Sequence, residues 1–385
     1  MLADSSTLAE AEKTRAMPGE VGSDWPPPDN LADPVASRWS REFAAKALFA
    51  LGGARVAEMV GRRIEFSRPP SDTSFRFCRA ARSRFAILCY HRVGRGGVPV
   101  YSGLPPVVFE AQMKYLREHY RMVSLDEVLR EMSDPRGRAP AVAITFDDGY
   151  ADLYEHAFPV LLRYEIPATI FLTVGAIESG EVAWYDRVFV AFQVAPGKKL
   201  VLPTNPPQVI VLGTPQERLH AAVEFISAMR RLPASEQRAT CAKLESVVSL
   251  PRKSIADRML TWKQIRQMQT AGVSFGAHTM THPVVSRLEE DLDWELGESK
   301  RILEDRLQRP VLDFAFPFGK NNECGDAAIA CLVRLGFRSA VTSIEGLNRR
   351  ATNPFALHRV SFCEEHTLAV FVLRLARLFL SSAET

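Results

Sequence analysis

The sequence predicts an α/β fold in which parallel strands form a barrel beneath flanking helices. Three short apolar runs, 85–89, 141–144 and 273–277, are bounded by charged or turn-forming residues, as is typical of strands buried on both faces. Helical patterns alternate with these runs, which favours an α/β arrangement. Each run is followed directly by residues able to act as acids, bases or metal ligands. The functional site of an α/β barrel forms at the carboxyl ends of its strands, so fold and chemistry agree.

The segments after these strands contain two adjacent aspartates and three histidines. They are Tyr90-His91-Arg92-Val93, Thr145-Phe146-Asp147-Asp148-Gly149 and His278-Thr279-Met280-Thr281-His282-Pro283. One carboxylate and two neutral imidazoles would leave coordination positions open for water and substrate, as a catalytic metal site requires. His278 and His282 are four residues apart, so a helical turn or a compact loop can direct both rings to one ion. Successive side chains leave a strand end in different directions, which leaves one aspartate available as a base.

Each segment has a structural explanation when it is considered alone. An Asp-Asp-Gly sequence is typical of a turn, a His-x-x-x-His pair fits a solvated helix face, and a Tyr-His pair at a strand end is commonly structural. Turns do not require histidine, however, and a buried, unpaired pair of aspartates would be costly. The occurrence of all three segments at strand ends therefore predicts a metal-dependent hydrolase.

The chain resembles the polysaccharide deacetylases of the NodB-homology group, carbohydrate esterase family 4. Residues 145–149 match the first motif of that family, 278–283 match the second, and Phe314-Ala315-Phe316-Pro317-Phe318-Gly319 resembles the third. The likeness extends from about residue 84 to residue 362 and includes 109–113 and 260–262. It implies a distorted (β/α)7-type barrel that binds one divalent metal ion, usually zinc.

The resemblance also implies a role for each residue of the first two motifs. Asp147 would be the general base, and Asp148, His278 and His282 would hold the metal ion.

The general acid is assigned through one branch of the family, which resembles the poly-N-acetylglucosamine deacetylases. In that branch the strand that carries the acid histidine lies at the beginning of the domain, where this chain has Tyr90-His91. We therefore expect His91, and not His358, to be the acid. It should enter the pocket opposite Asp147, within reach of the leaving nitrogen.

Two positions depart from the pattern of the family. The third motif of many members contains an arginine that orients the base, whereas this chain has Ala315 there. Arg359, at the end of a late apolar run, is the nearest replacement, and we expect it to lie close to Asp147 and keep it ionised. Phe318 stands where tyrosine is common, but its role would be to hold the oxyanion through its backbone N–H, which the change of side chain preserves.

Four regions are expected along the chain. They are a disordered N-terminal tail (1–34), a helical N-terminal extension (35–83), the barrel (84–365) and a C-terminal helix and tail (366–385). The tail is acidic and rich in proline. The helical patterns at 39–63 and 368–380 fit packing on the barrel or binding to a membrane surface. Neither contains the roughly 20 apolar residues needed to cross a bilayer.

An insertion at about 176–257 is too long for an ordinary loop and is expected to have structure of its own. We predict a hairpin with strands at 199–202 and 209–212, and then helices at 215–231 and 234–248. The insertion leaves and rejoins the barrel at the catalytic end, so it is placed to form one wall of a substrate groove.

Aromatic residues are candidates for the lining of this groove. Trp184 and Tyr185 could offer a surface for a sugar ring, or they could pack the insertion. Phe316 and Pro317 of the third motif are expected to line the same groove.

Composition limits the partners and the compartment. Forty-eight basic and 45 acidic side chains give a net charge of +3, too small to indicate nucleic-acid binding. The six cysteines form no C-x-x-C pair and have no regular spacing, so neither a zinc knuckle nor a disulfide framework is predicted. The first residues lack the basic start and apolar stretch of a signal peptide. We therefore expect a cytoplasmic protein, with a peripheral position at the inner membrane face as a further option.

Three functions remain open at this point. The first is removal of the N-acetyl group from an N-acetylhexosamine unit of a glycan or lipid-linked saccharide. The second is hydrolysis of another non-peptide C–N bond, such as that of a formamide or a ureide. The third is a non-catalytic carbohydrate-binding barrel, which the complete set of candidate catalytic residues disfavours.

Overall fold

A computed structural model of the chain describes residues 84–94, 103–134, 140–203, 206–252, 258–288, 290–363 and 367–381. The predicted tail (1–34) and helical extension (35–83) lie outside the described residues. The strands are β1 (Phe85–Tyr90), β2 (Arg121–Met122), β3 (Ala141–Phe146), β4 (Ala168–Leu172), β5 (Lys199–Leu202), β6 (Gln208–Val211), β7 (Ser274–Ala277), β8 (Asp313–Ala315), β9 (Ser339–Glu345) and β10 (Leu357–Ser361).

Helices follow most of these strands. The α-helices are α1 (Pro106–His119), α2 (Leu125–Ser133), α3 (Phe158–Arg163), α4 (Val174–Ser179), α5 (Trp184–Val194), α6 (Pro215–Met229), α7 (Ala234–Val247), α8 (Trp262–Thr270), α9 (Ser299–Leu307), α10 (Asp326–Arg334) and α11 (Leu368–Ser381). Short π-helical turns at Leu153–Ala157 and Trp294–Glu298 precede α3 and α9.

Seven parallel strands close into a barrel in the order β1-β10-β9-β8-β7-β4-β3. The closure is made by β1 and β3, which pair in parallel from Phe85 opposite Ala141 to Tyr90 opposite Phe146. The two-residue strand β2 pairs with the other edge of β3. The predicted (β/α)7-type barrel is confirmed.

Alternate residues of the strands fill the interior of the barrel. An interior cluster contains Phe85, Ile87, Ala141, Ala143, Phe171, Ala315, Val341 and Leu357. Because side chains alternate along a strand, the same faces continue to His91 after β1, to Asp147 after β3 and to Arg359 in β10. These three side chains therefore face the interior of the barrel. They lie at the carboxyl ends of their strands and so at the same end of the barrel.

The helix α2 covers the opposite end. It lies between β2 and the amino end of β3, and Leu125, Val128 and Met132 belong to the interior cluster. A Ser124–Glu127 capping box, in which each side chain bonds the backbone N–H of the other residue, fixes where this helix begins. The carboxyl ends of the strands are thus left as the open end of the barrel.

The insertion contains the predicted hairpin and helices. β5 and β6 pair in antiparallel register, with Val201 opposite Val209, and α6 and α7 follow them. β6 begins and ends one residue earlier than predicted, and α6 ends at Met229 instead of residue 231.

The C-terminal helix α11 packs against α1 and the residue that follows it. The rings of Tyr115 and Phe371 meet edge to face with centroids 6.5 Å apart, and Tyr120 stacks on Phe379 at 5.6 Å. The expected packing of this helix against the rest of the fold is therefore present. Within the described ranges, every helix is too short or too polar to cross a membrane.

Candidate active site

Asp147 forms a buried ion pair with Arg359. Arg359 Nη1 donates to Asp147 Oδ1 at 2.7 Å, and Nη2 donates to Asp147 Oδ2 at 2.6 Å, so the planar guanidinium meets both carboxylate oxygens. Arg359 Nε donates to the carbonyl oxygen of Thr342 at 2.8 Å, which fixes the direction of the guanidinium. The contact expected from the sequence is present, although Ala315 stands where many members of the resembled family have arginine.

This ion pair controls the ionisation of Asp147. Burial would raise the pKa of Asp147, but the Arg359 charge, with a smaller contribution from His278, lowers it below the ordinary aspartate value. Asp147 is therefore held as a carboxylate, the form that can accept a proton.

His91 enters the pocket beside Asp147. Its Nε2 atom lies 4.0 Å from Asp147 Oδ2, and 30% of the His91 side chain is exposed. The expectation that His91 enters opposite Asp147 is wrong, because β1 and β3 are adjacent strands in register. Burial lowers the pKa of His91, while the Asp147 charge acts in the opposite direction. The partial exposure of His91 leaves its ring accessible from the open end of the barrel.

His358 lies away from this pocket. It precedes Arg359 in β10, and consecutive side chains of a strand leave on opposite faces. Its ring lies against the backbone at Gly346, where an added Cβ would be 2.6 Å from His358 Nδ1. Of the two histidines that precede an Arg-Val pair, the structure brings only His91 to Asp147.

Asp148, His278 and His282 form a compact group of potential metal ligands. Asp148 Oδ1 lies 3.6 Å from His278 Nε2 and 3.4 Å from His282 Nε2. All three side chains are buried, and the three potential ligand atoms lie within 4.8 Å of one another. Donor atoms each about 2.1 Å from a tetrahedral ion would be about 3.4 Å apart. The observed distances are close to that spacing.

The chemistry of these atoms also fits a cation. His278 Nδ1 donates to the carbonyl oxygen of Ala315 at 2.7 Å, which leaves the lone pair on Nε2, the atom that lies near Asp148. Burial lowers the pKa of His278 to about 4 and that of His282 well below its ordinary value, so both rings are neutral. Asp148 Oδ1 is buried without a hydrogen-bond partner. Burial and the Asp147 charge raise the pKa of Asp148 well above its usual range, an effect that a bound cation would reverse.

A second group of potential ligands contains Cys89, His91 and Asp147. The Cys89 thiol donates to Asp147 Oδ2 at 3.6 Å, and burial raises its pKa far above the ordinary value. Arg359 already engages both Asp147 oxygens, and the Cys89 thiol donates to one of them. This group therefore fits a cation less well than the first. Cys89 was not among the site residues predicted from the sequence, although it lies two residues before His91 and so faces the same side of β1.

Backbone strain is concentrated at the site. The left-handed region is occupied by Asp148 (φ +73°), Thr279 (φ +64°), His282 (φ +60°) and Phe318 (φ +60°). Such conformations cost about 1–3 kcal/mol each and persist where surrounding contacts impose them. Gly149 has φ +88°, and a Cβ there would lie 2.6 Å from Leu172 Cδ2. The turn that directs Asp148 away from Asp147 therefore requires glycine at the next position.

Glu295 anchors the loop between His278 and His282. Its Oε2 atom accepts hydrogen bonds from the backbone N–H groups of Met280 and Thr281, both at 2.9 Å, and its Oε1 atom accepts one from the Thr281 hydroxyl. Glu295 is buried and lies in the π-helical turn Trp294–Glu298. Glu295 was not predicted from the sequence, because nothing in its local pattern separates it from the surface acids around it.

The oxyanion candidate Phe318 lies at the mouth of the site. Its ring centroid is 4.8 Å from that of His282, and the Arg230 guanidinium carbon lies 4.1 Å from the Phe318 ring centroid. Arg230, at the end of α6, was also missed by the sequence analysis.

The aromatic groove predicted from the sequence is only partly present. Tyr185, Phe316 and Pro317 are buried, and Phe316 packs against Phe314 with centroids 5.2 Å apart. These three residues therefore belong to the packed interior and offer no surface to a sugar. Trp184 is half-buried, so it retains some accessible surface.

A family model for polysaccharide deacetylases matches residues 134–339, which is more than half of the chain. The chain belongs to the polysaccharide deacetylase family. It is thus a hydrolase of non-peptide C–N bonds, and the resemblance found in the sequence is confirmed. The matched range contains Asp147, Asp148, His278 and His282, whereas His91 and Arg359 lie on either side of it.

One known protein aligns with this deacetylase over most of the length of both chains. YxkH of Bacillus subtilis (strain 168), named as a polysaccharide deacetylase, is 23% identical over 303 residues, covering 78% of each protein. A poly-beta-1,6-N-acetyl-D-glucosamine N-deacetylase of Staphylococcus aureus is 37% identical over 70 residues, covering 18% of this chain and 24% of that protein. The Streptococcus pyogenes deacetylase PplD, solved with acetate, is 21% identical with a TM-score of 0.51. That comparison covers 75% of this chain and 97% of the PplD chain, and it supports the fold.

The Arg359–Asp147 pair generates the first prediction. Replacing Arg359 with methionine leaves a buried carboxylate without its cation, so the free energy of unfolding of the metal-free protein should fall by about 3–5 kcal/mol at neutral pH. The folded-state pKa of Asp147 lies below its unfolded value. The stability it contributes is therefore present above the unfolded pKa and is lost as the pH falls through the folded pKa. The difference between wild type and variant should shrink in acid.

Urea unfolding across this pH range, followed by circular dichroism, measures the difference. The matched control is Arg301→Met, because Arg301 is an exposed arginine paired with Glu298. A pH-independent difference, or one no larger than that of the control, would contradict the assignment.

Proposed function

We propose that the protein is a metal-dependent N-deacetylase that acts on an N-acetylhexosamine unit of a glycan or a lipid-linked saccharide. The observation that carries the proposal is the pairing of two adjacent aspartates in opposite environments. Asp147 is held ionised by Arg359, and Asp148 faces two neutral histidines. One carboxylate is thus suited to accept a proton and the other to hold a cation.

Asp148, His278 and His282 would hold the metal ion, which we take to be zinc. When bound, it would polarise the acetyl carbonyl and make water a better nucleophile near neutral pH. Asp147 then accepts a proton from the attacking water, and His91, in the protonated form that the Asp147 charge favours, delivers its proton to the departing nitrogen. Transfer of the proton held by Asp147 to His91, 4.0 Å away, restores both groups.

The remaining charge develops on the acetyl oxygen. The backbone N–H of Phe318, held in a left-handed conformation, is the group that we assign to this oxyanion. The C–N bond breaks, and the products are acetate and a free amino sugar.

The choice of an N-acetylhexosamine rests on similarity. The staphylococcal relative that is 37% identical over 70 residues is named for its action on poly-β-1,6-N-acetyl-D-glucosamine. The half-buried Trp184 adds aromatic surface near Phe318, at a centroid distance of 6.3 Å. An aromatic face suits the apolar side of a sugar ring.

The cellular position is part of the proposal. The protein would act on a cytoplasmic precursor and would make peripheral contact with the inner membrane face. In support, the described cysteines Cys89, Cys241, Cys324, Cys331 and Cys363 are free thiols, as is typical of a reducing compartment.

The substrate assay tests the reaction itself. The full chain, loaded with Zn²⁺, is incubated with β-1,6-linked N-acetylglucosamine oligomers, a lipid-linked N-acetylhexosamine, N-formylated sugars and ureides. We expect acetate and free amine to be released in equal amounts from the N-acetylated compounds, by analogy with the named relative. Release of formate or ammonia without acetate would contradict the proposal. It would favour hydrolysis of another non-peptide C–N bond, that of a formamide or a ureide.

The metal assignment predicts a loss of binding in a double variant. His278→Ala combined with His282→Ala removes two of the three donors, so bound metal should fall from about one ion per chain to near zero. Inductively coupled plasma mass spectrometry of the desalted protein measures the number of bound metal ions per chain. His220→Ala, at an exposed histidine on α6, is the matched control. Undiminished metal in the double variant would overturn the ligand set.

If His91 is the general acid, its replacement should lower kcat much more than replacement of His358. His91→Ala should lower kcat for deacetylation by about 10²- to 10⁴-fold, the usual contribution of a general acid, while leaving metal content unchanged. His358→Ala should remain near wild type, because its ring lies against Gly346. The reverse ranking, with both variants folded, would assign the acid to His358.

A further inference from the structure

Two consecutive residues at the start of α5, Trp184 and Tyr185, contact residues of the proposed metal site. Trp184 Nε1 donates to the carbonyl oxygen of His282 at 3.0 Å. The Tyr185 hydroxyl also acts on the Asp148 carboxylate, whose pKa it lowers against the effect of burial. The Tyr185 ring also packs against the His282 imidazole, with centroids 4.8 Å apart. We call residues 184–186 the support segment.

The third residue of the support segment anchors it. Asp186 Oδ2 accepts a hydrogen bond from the Tyr150 hydroxyl at 2.5 Å, and that hydroxyl lies 3.3 Å from the hydroxyl of Tyr185. Asp186 is 1% exposed, and burying a carboxyl group is costly unless hydrogen bonds compensate it. Burial raises the pKa of Asp186 to about 7, against the Tyr150 hydrogen bond and the Arg92 charge. A buried acid that the hydrolytic steps do not use therefore lies directly behind the site.

The support segment determines how Asp148 presents its carboxylate. Asp148 Oδ1, which faces both histidines, has no hydrogen-bond partner. The Tyr185 hydroxyl is the polar group that α5 brings to this carboxylate, and it restricts the rotation that would turn Oδ1 away from His278 and His282.

The same segment holds the backbone of His282. The N–H of His282 donates to Thr279 Oγ1 at 3.0 Å, and its carbonyl oxygen accepts from Trp184 Nε1. His282 has φ +60°, an unfavourable value for a residue other than glycine. Hydrogen bonds on both sides of this residue maintain the conformation that directs its ring toward Asp148.

The insertion holds the support segment in place. Further along α5, the Phe192 ring lies 5.3 Å from the Phe225 ring of α6. Arg187 donates to both carboxylate oxygens of Glu245 on α7 at 2.8 Å. These contacts join the start of α5 to two helices of the insertion, so the support segment rests on a packed element.

We propose that Trp184, Tyr185 and Asp186 are positioning residues, which increase metal affinity by holding Asp148 and His282 in their ligand geometry. This inference rests on the metal site of the proposed function. It assigns to the insertion a part in building the metal site, in addition to any contact with substrate. Outer hydrogen bonds of this kind typically change metal affinity by about 10- to 100-fold.

Zinc titration of the metal-free full chain, in competition with a chromogenic chelator, tests the proposal. Tyr185→Phe removes one hydroxyl and keeps the ring, so the Kd for Zn²⁺ should rise by about 10- to 100-fold. Trp184→Phe removes the N–H donor to His282 and should act in the same direction. Asp186→Asn retains an acceptor for Tyr150 and should stay closer to wild type than Asp186→Leu, which retains none.

Two matched controls separate support of the metal from general packing. Tyr154→Phe removes a hydroxyl that donates to Gln267 at 2.9 Å, and Trp262→Phe removes an N–H that donates to Glu178 at 2.6 Å. We expect both controls to bind Zn²⁺ as the wild type does. The Tm of each metal-free variant is measured in parallel, because a purely structural role would lower Tm without changing Kd.

Each outcome has a definite meaning. Weaker Zn²⁺ binding by Tyr185→Phe and Trp184→Phe than by their controls supports the proposal. Affinities equal to those of the controls overturn it, whatever the change in Tm, and leave the proposed function intact when the wild type binds Zn²⁺. Failure of the wild type to bind Zn²⁺ would overturn the metal site and this inference together.

Discussion

The buried ion pair between Arg359 and Asp147 is the interaction on which the rest of the site depends. It joins β10 to the end of β3, the two strands that flank β1 in the closed barrel. A carboxylate and a guanidinium removed from water stabilise each other only while their geometry is kept. The pair therefore requires the closed barrel, and the candidate base is available only in the folded protein. Stability and ionisation of the site have the same physical origin.

The two neighbouring aspartates illustrate how environment divides chemical roles. Asp147 has a protein cation against both of its oxygens, and its pKa is lowered despite burial. Asp148 is equally buried but faces neutral imidazoles, and its pKa is raised. The difference arises from a left-handed turn at Asp148, which directs its side chain away from that of Asp147. Adjacent carboxylates with opposite pKa shifts are typical of sites that need a base and a second acidic group at once.

The insertion is integrated with this chemistry. Its first long helix, α5, begins with side chains that reach His282 and Asp148. Arg230, at the end of α6, lies against Phe318 from the other side. A part of the chain that is dispensable for closing the barrel thus contacts both His282 and the oxyanion candidate Phe318. If the proposed metal site and substrate groove are correct, the same helices would contribute to specificity and to metal affinity.

The sequence by itself predicted the strand ends, the grouping of Asp148 with His278 and His282, and the contact of Arg359 with Asp147. It could do so because strand alternation and the meeting of parallel strand ends at one edge are local rules. Only the tertiary structure decided that His91 lies beside Asp147, since this depends on β1 being the neighbour of β3. Burial of Tyr185 and Phe316, and the anchoring role of Glu295, were likewise decided by contacts between residues distant in the chain. No local pattern records how much of a side chain such contacts cover, so these features emerged only when the barrel and its insertion were assembled.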